Sequence, residues 1–220
     1  MSQGAWDVYA MTKGPGRAVN SAGHSTWFNW TQYADHGPGV ELLGTPDRAL
    51  DLGCGTGRNA AHLATVGVRT VGVDVAGARV KQAQEQWKAL ERVTFAQADA
   101  LAYLGSAPWF DAVYSVFGAL WFTDPAHLLP AIYEHLTPGG VLAFSQEPPI
   151  AECYGPQGAY VRGTDRKPHA IRRWAYEPGV WAQALERFGF SEVRAGTVPA
   201  PDGEHLGTLL VTARRCDRAR

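Results

Sequence analysis

From Arg48 onward the chain alternates between short apolar runs and segments of helical spacing. Ala49-Leu50-Asp51-Leu52 reads as a strand ending in a glycine-rich turn. Residues 59–66 carry a helical pattern and 69–73 a β-branched strand pattern. Over 76–91, Val80, Ala83, Trp87 and Leu90 share one helical face. Residues 93–96 and 110–115 read as strands, and 125–136 as a helix with Asp124 as N-cap and Pro125 in the first turn. Pro138-Gly139-Gly140 makes a turn before a strand over 141–145, and 180–188 reads as a further helix. Residues 190–198 and 205–213 read as two strands that pair as a terminal hairpin. Strands alternating with helices predict βαβ units and a mainly parallel sheet, hence an α/β fold.

Two regions break this rhythm. Residues 1–46 lack a clean period and are rich in glycine, proline and aromatics. Residues 148–178 hold five prolines and few apolar pairs. An irregular stretch of that length inside a compact domain is usually a functional insertion or a lid. The expected organisation is an N-terminal aromatic lid over 1–46 and one domain over 47–220 with a lid-like insertion at 148–178.

Composition narrows the options. With 45% hydrophobic and 19% charged residues, the chain is globular. A formal net charge of −1 argues against a dedicated nucleic-acid binder, which carries a basic surplus to neutralise phosphates. Cys54, Cys153 and Cys216 form neither a disulfide framework nor a zinc motif, so no metal is expected. No secretory leader pattern and no membrane-length apolar run is visible, so the expected setting is cytoplasmic with reduced thiols.

The chemistry concentrates at Asp51-Leu52-Gly53-Cys54-Gly55-Thr56-Gly57, between a strand and a helix. Glycines there permit a tight turn and close backbone approach to a ligand, and the helix N-terminus offers free N–H groups. The spacing is D-x-G-x-G-x-G, not the G-x-G-x-x-G of dinucleotide sites, and there is no P-loop lysine motif. Asp74 ends the next strand, where a carboxylate can accept from two ribose hydroxyls; helix capping is the plainer alternative. Asp99 follows the third strand and is read either as an acceptor for an adenine amine or as a cap. Three acids around one crevice repel a polyphosphate and suit a ligand carrying ribose, adenine and positive charge.

The runs ALDLGCGTGRNAAHLA (49–64), TVGVD (70–74), QADA (97–100), FDAVYSV (110–116) and LTPGGVLAFSQ (136–146) resemble the class I S-adenosylmethionine-dependent methyltransferases, in that family's order. The resemblance implies a three-layer Rossmann-like domain with a seven-stranded, mostly parallel sheet and an antiparallel last strand. It implies that Gly53, Gly55 and Gly57 approach the methionine part of S-adenosyl-L-methionine and that Asp51 orients its amino group. Cys54 lies in the same cofactor-binding loop, with small-residue filling as its alternative. Asp74 and Val75 would hold the ribose, Asp99 and Ala100 the adenine, and Ser115 and Val116 the region of the methyl donor. S-adenosyl-L-homocysteine would be the product.

The segment HSTWFNWTQYADHG (24–37) resembles the N-terminal lid of small-molecule members. A sulfonium is a cation, and aromatic faces attract cations. Tyr33 is the expected cofactor contact in this segment. Trp27 and Trp30, with Phe117 and Trp121 after the fourth strand, are the candidate acceptor pocket, each with plain core packing as its alternative. His24 and Glu147 are the candidate bases, and a base is dispensable for an amine already free of its proton. The basic stretch 162–173 is either a solvated loop or a clamp for a carboxylate, a phosphate or an RNA backbone. The expected acceptor is a small molecule, with no nucleic acid or membrane partner, in a monomer or homodimer. The rivals are an RNA or protein methyltransferase and a non-catalytic cofactor-binding subunit.

Overall fold

The structure, a computed structural model, describes residues 3–12, 19–162 and 167–216. The order is α1 (Gln3–Thr12), β1 (Arg48–Leu52), α2 (Arg58–Thr65), β2 (Arg69–Asp74), α3 (Gly77–Gln86), β3 (Val93–Gln97), α4 (Ala100–Leu104), β4 (Phe110–Val116), α5 (Ala119–Phe122), α6 (Pro125–His135) and β5 (Leu136–Gln146). Then come β6 (Gly155–Arg162), β7 (Pro168–Ala175), α7 (Pro178–Arg187), β8 (Phe190–Val198) and β9 (Thr208–Arg215). Seven strands form one sheet in the order β3-β2-β1-β4-β5-β9-β8, while β6 and β7 pair apart from it. β1 to β5 run parallel; β9 runs antiparallel to both β5 and β8. This is the seven-stranded Rossmann-like sheet of the class I methyltransferase fold.

The central strands are apolar on both sides because both faces of the sheet are covered. One face packs Leu52, Val113, Leu142 and Phe144 against Leu104 of α4, Leu128 and Ile132 of α6 and Trp181 of α7. On the other face, Ala49, Ala112, Tyr114 and Ala143 meet Leu63 of α2 together with Trp30 and Leu43. The N-terminal segment thus covers, without a long helix, the part of the sheet that α2 does not reach. Trp30 is completely buried there, its indole N–H donating to the Gly39 carbonyl at 2.7 Å.

Sequence boundaries held where local chemistry is strong. Asp124 caps α6, accepting from the Ala126 N–H at 2.9 Å, with Pro125 in the first turn. β8 and β9 form the expected terminal antiparallel pair. The helix expected over 76–91 is shorter, because Trp87 closes α3 and turns its indole to the Thr56 carbonyl. The insertion is more regular than its prolines suggested. β6 and β7 make an eight-residue antiparallel ladder from Gly155↔Ala175 to Arg162↔Pro168. A two-stranded ribbon has two open edges, so Pro156 and Pro168 cost it no ladder bond that a central strand would need. Residues 163–166 of the basic stretch lie outside the described residues. Among the described residues, no helix is long and apolar enough to cross a membrane, and no group of three or more His, Cys, Asp or Glu is placed to hold a metal.

Candidate active site

A cavity of about 330 Å³ opens at the carboxyl ends of β1, β2 and β4. The exits of β1 and β4 touch each other there. A Cβ on Gly53 would fall 2.6 Å from the Ala119 nitrogen, and one on Gly118 2.5 Å from the Leu52 carbonyl oxygen. Gly53 also sits at φ 83°, in the left-handed region. Its N–H and that of Cys54 both donate to the Val73 carbonyl, which ties the loop to β2. Beside this contact Phe117 adopts φ 49°, uncommon for a bulky residue, and its N–H donates to the Ser145 carbonyl at 2.8 Å. The turn sends the chain from β4 into α5 along the cavity wall.

Three carboxylates border the space. Asp51 is buried and its pKa is raised to about 8, chiefly by loss of solvent, with Asp74 adding repulsion. The Tyr114 hydroxyl, itself buried without a partner of good hydrogen-bond geometry, faces Asp51 and opposes the rise. Asp74 is pushed up by burial but steadied by two backbone donors, Gly55 N–H at 2.8 Å and Ala76 N–H at 2.8 Å. Asp99 caps α4, accepting from Leu101 and Ala102 through Oδ1. Capping and cavity lining therefore coexist in Asp99, because each carboxylate oxygen has its own lone pairs.

Of the residues singled out from the sequence, Asp51, Gly53, Cys54, Gly55, Asp74 and Val75 line the cavity. Asp99, Ala100, Val116 and Phe117 line it too. Others do not. Gly57 is required by packing: a Cβ there would fall 2.3 Å from the Phe95 ring. Ser115 is fully buried and joins elements, donating to the Leu52 carbonyl at 2.7 Å and accepting from the Leu120 N–H. Tyr33 is held away from the cavity by its hydroxyl, which donates to the Leu206 carbonyl at 2.7 Å.

Trp27 is buried against Arg58, whose guanidinium lies 4.0 Å from its ring centroid. Trp30 fills the core under the sheet. Trp121 is buried behind the cavity wall, against Phe117 and Phe122. His24 is exposed, off the cavity. Glu147 pairs with Arg173 at 3.4 Å and does not line the cavity either.

Within the segment 1–46 expected as a lid, the sequence reading singles out residues of 24–37 and not those of α1. Trp6, Tyr9 and Ala10 of α1 line the cavity, and Trp6 meets Phe122 edge-on with centroids 4.5 Å apart. Asp7 accepts from the Gly77 N–H at 3.1 Å, so α1 caps α3 across the mouth. Trp6, Tyr9 and Ala10 share a helical face by their i, i+3, i+4 spacing, the one signal that pointed to this helix. Arg58, directly after Gly57, was also missed; burial lowers its pKa, and its Nε is buried without an acceptor.

Residues 49–140 match the model of a methyltransferase domain. The chain is 36% identical over 138 residues to the trans-aconitate 2-methyltransferase of Azoarcus sp., which spans 62% of this chain and 47% of that protein. It is 32% identical over 156 residues to the enzyme of that name from Methylobacterium radiotolerans, covering 67% of this chain and 53% of the relative. The chain thus spans about half the length of these curated relatives. Among solved structures it resembles the Burkholderia thailandensis 1,6-didemethyltoxoflavin-N1-methyltransferase with bound 1,6-didemethyltoxoflavin and S-adenosylhomocysteine (TM-score 0.57, 26% identity, 80% of this chain and 73% of that one). The fold is also that of the DhpI–SAH complex (TM-score 0.60, 23% identity, 78% of each chain). Sheet order and glycine-rich crevice are those of the class I S-adenosylmethionine-dependent methyltransferase fold, and residues 49–140 are a methyltransferase domain.

Proposed function

We propose that this protein moves a methyl group from S-adenosyl-L-methionine to an oxygen or nitrogen of a small organic acceptor, leaving S-adenosyl-L-homocysteine. The observation that carries the reading is the cavity itself: a glycine floor, three strand-end acids and an aromatic cover around about 330 Å³, a volume in the range of small-ligand sites.

The residues present fit the cofactor. Asp51 is a buried carboxyl with its pKa raised to about 8, so a cationic ammonium beside it restores its charge at neutral pH. Asp74 keeps lone pairs for ribose hydroxyls after accepting its two backbone bonds. Asp99 has Oδ2 left for an exocyclic amine. When bound, the cofactor supplies a methyl group activated on sulfonium sulfur. Gly53 and Gly118 let two strand exits meet without side chains, which sets the depth of the floor. Trp6, Tyr9 and Phe122 exclude water and offer rings to positive charge. We assign the acceleration to alignment and burial, which convert a bimolecular displacement into a positioned one. In this reading α1 and the β6–β7 ribbon are the cover, and 24–37 is its support.

Calorimetric titration with S-adenosyl-L-homocysteine tests it. Micromolar binding is expected, weakened tenfold or more in Asp74→Ala, equivalent to at least about 1.4 kcal/mol. Absence of binding by cofactor-free wild type overturns the proposal.

A further inference from the structure

We propose that Arg173 holds a carboxylate of the methyl acceptor where β7 packs on α5, making this an enzyme of small organic acids. The inference rests on the methyltransferase reading and names its substrate class.

The argument starts at the cavity wall. Phe117 and Phe122 line the cavity, and Trp121 packs against both, with centroids 6.0 and 4.9 Å away. The Arg173 guanidinium lies over Trp121, 5.5 Å from its centroid. A cation therefore stands two ring contacts from the cavity, through Trp121 and then Phe117 or Phe122. Strand alternation puts it there: Arg172 is exposed, whereas Arg173 turns inward with Ile171 and His169.

Arg173 is poorly satisfied for a cation in that position. Its one hydrogen bond to an acid is long, 3.4 Å from Nη1 to Glu147 Oε2, and its Nε is buried with no acceptor. A guanidinium has five donors in a planar fork that matches a carboxylate. Gln146, the last residue of β5, is completely buried; its amide donates to the Trp174 carbonyl at 3.1 Å, and its Oε1 has no donor. Thr123, one residue past α5, has a buried hydroxyl without a partner. Unmet polar atoms thus sit on the three elements that meet beside Trp121. A carboxylate supplies acceptors for Arg173, and a hydroxyl on the same acid would donate to Gln146 Oε1.

The present partner of Arg173 is the one able to leave. The Glu147 side chain is 45% exposed and the Arg173 side chain 26%, so Glu147 has the freer path into water. The surrounding charge agrees. Among the described residues of 162–173, Arg162, Lys167, Arg172 and Arg173 are cationic and none is acidic, an attractive field for an anion. Arg173 faces inward with an aromatic wall, which suits a small acid better than an extended RNA backbone.

The test uses full-length protein saturated with S-adenosyl-L-homocysteine and titrated with trans-aconitate as the probe acid. Wild type is expected to bind it, Arg173→Gln to weaken it tenfold or more, and Arg173→Lys to recover part of the loss. Glu147→Gln, which removes the competing carboxylate, should bind the acid two- to fivefold more tightly. The uncharged trimethyl ester should not distinguish wild type from Arg173→Gln. Affinity for S-adenosyl-L-homocysteine should be equal in all four proteins, which separates this site from the cofactor site and reports that each variant is folded. Equal acid affinity in wild type and Arg173→Gln overturns the proposal. So does tighter binding of inorganic phosphate or of an RNA oligomer than of the acid. If cofactor-free wild type does not bind S-adenosyl-L-homocysteine, the methyltransferase reading fails first, and the assignment of Arg173 falls with it.

Discussion

Gly53 and Trp6 border the same cavity, yet they arrive by different routes. Gly53 sits between a strand and a helix that follow each other in the chain, and local backbone requirements specify it: a left-handed φ and no room for a Cβ. Trp6 belongs to a ten-residue helix whose own pattern is faint, and it reaches the cavity through contacts with distant partners, Phe122 and the Gly77 N–H that Asp7 caps. The floor is thus written in short-range steric rules, while the cover is written in side chains that meet across the fold. Helices of this length are marginal alone and depend on tertiary packing. The cover should therefore tune affinity and exchange, whereas the floor should decide whether the site exists.

The largest effect is expected from the floor. Gly118→Val places a branched side chain where the Leu52 carbonyl oxygen already lies 2.5 Å from a bare Cβ. It should cost at least about 3 kcal/mol in urea unfolding and abolish cofactor binding. A variant that keeps wild-type affinity would show that the crossing of β1 and β4 is more yielding than its geometry requires.

Next comes Asp51, where the sign can be worked out. Its pKa is raised from 3.8 to about 8 in the folded protein, so between those values the folded state holds a proton that the unfolded chain has lost. Stability of the cofactor-free protein from this group should fall as pH rises through that window, by at most about 1.4 kcal/mol per pH unit. A ligand ammonium favours the charged carboxylate, so affinity for S-adenosyl-L-homocysteine should rise from pH 6 to pH 8, by up to about fiftyfold as the ionised fraction of Asp51 grows. Both slopes should flatten in Asp51→Asn, read by thermal melts and calorimetry across pH.

A smaller effect is expected at the cover. Trp6→Ala should weaken cofactor binding about three- to tenfold, mainly through faster dissociation, because a single lost aromatic contact is worth roughly 1 kcal/mol. Stopped-flow fluorescence should show this with little change in melting temperature. Equal dissociation rates would remove α1 from the site. The smallest effect is Tyr33→Phe, which deletes one exposed hydrogen bond to the Leu206 carbonyl. It should cost less than about 1 kcal/mol of stability and leave cofactor affinity unchanged. A clear loss of affinity would return Tyr33 to the site.

The same division explains what could be read in advance. Asp74 and Asp99 were legible because strand ends in a parallel α/β sheet converge on one crevice, so position in the order implies position in space. Ser115 occupied such an end and still turned away. Its hydroxyl joins Leu52 and Leu120, a bond whose partners only the folded sheet brings together. Trp30 and Tyr33 looked alike as aromatics in one lid. One fills the sheet face that α2 leaves open, and the other anchors the segment to the loop before β9. Aromatic type carries no information about which burial it will satisfy.

The ribbon at β6–β7 makes the same point for secondary structure. Its prolines argued for an irregular insertion, because proline is excluded from strands that need a ladder bond on each side. That exclusion lapses in a two-stranded pair, and pairing across 155–175 is a property of the pair rather than of either run.

What the chain determined by itself was the alternation of elements, the glycine loop and the order of acids at the strand ends. These follow from periodicity, from glycine's access to positive φ, and from the parallel topology that βαβ units enforce. What only the tertiary structure decided was the company those residues keep: α1 over the mouth, Gly118 against Gly53, Asp51 raised to about 8 by burial, and Arg173 beside Trp121. Each depends on distance across the fold and on exclusion of water, and neither quantity is carried by a residue until the rest of the chain has closed around it.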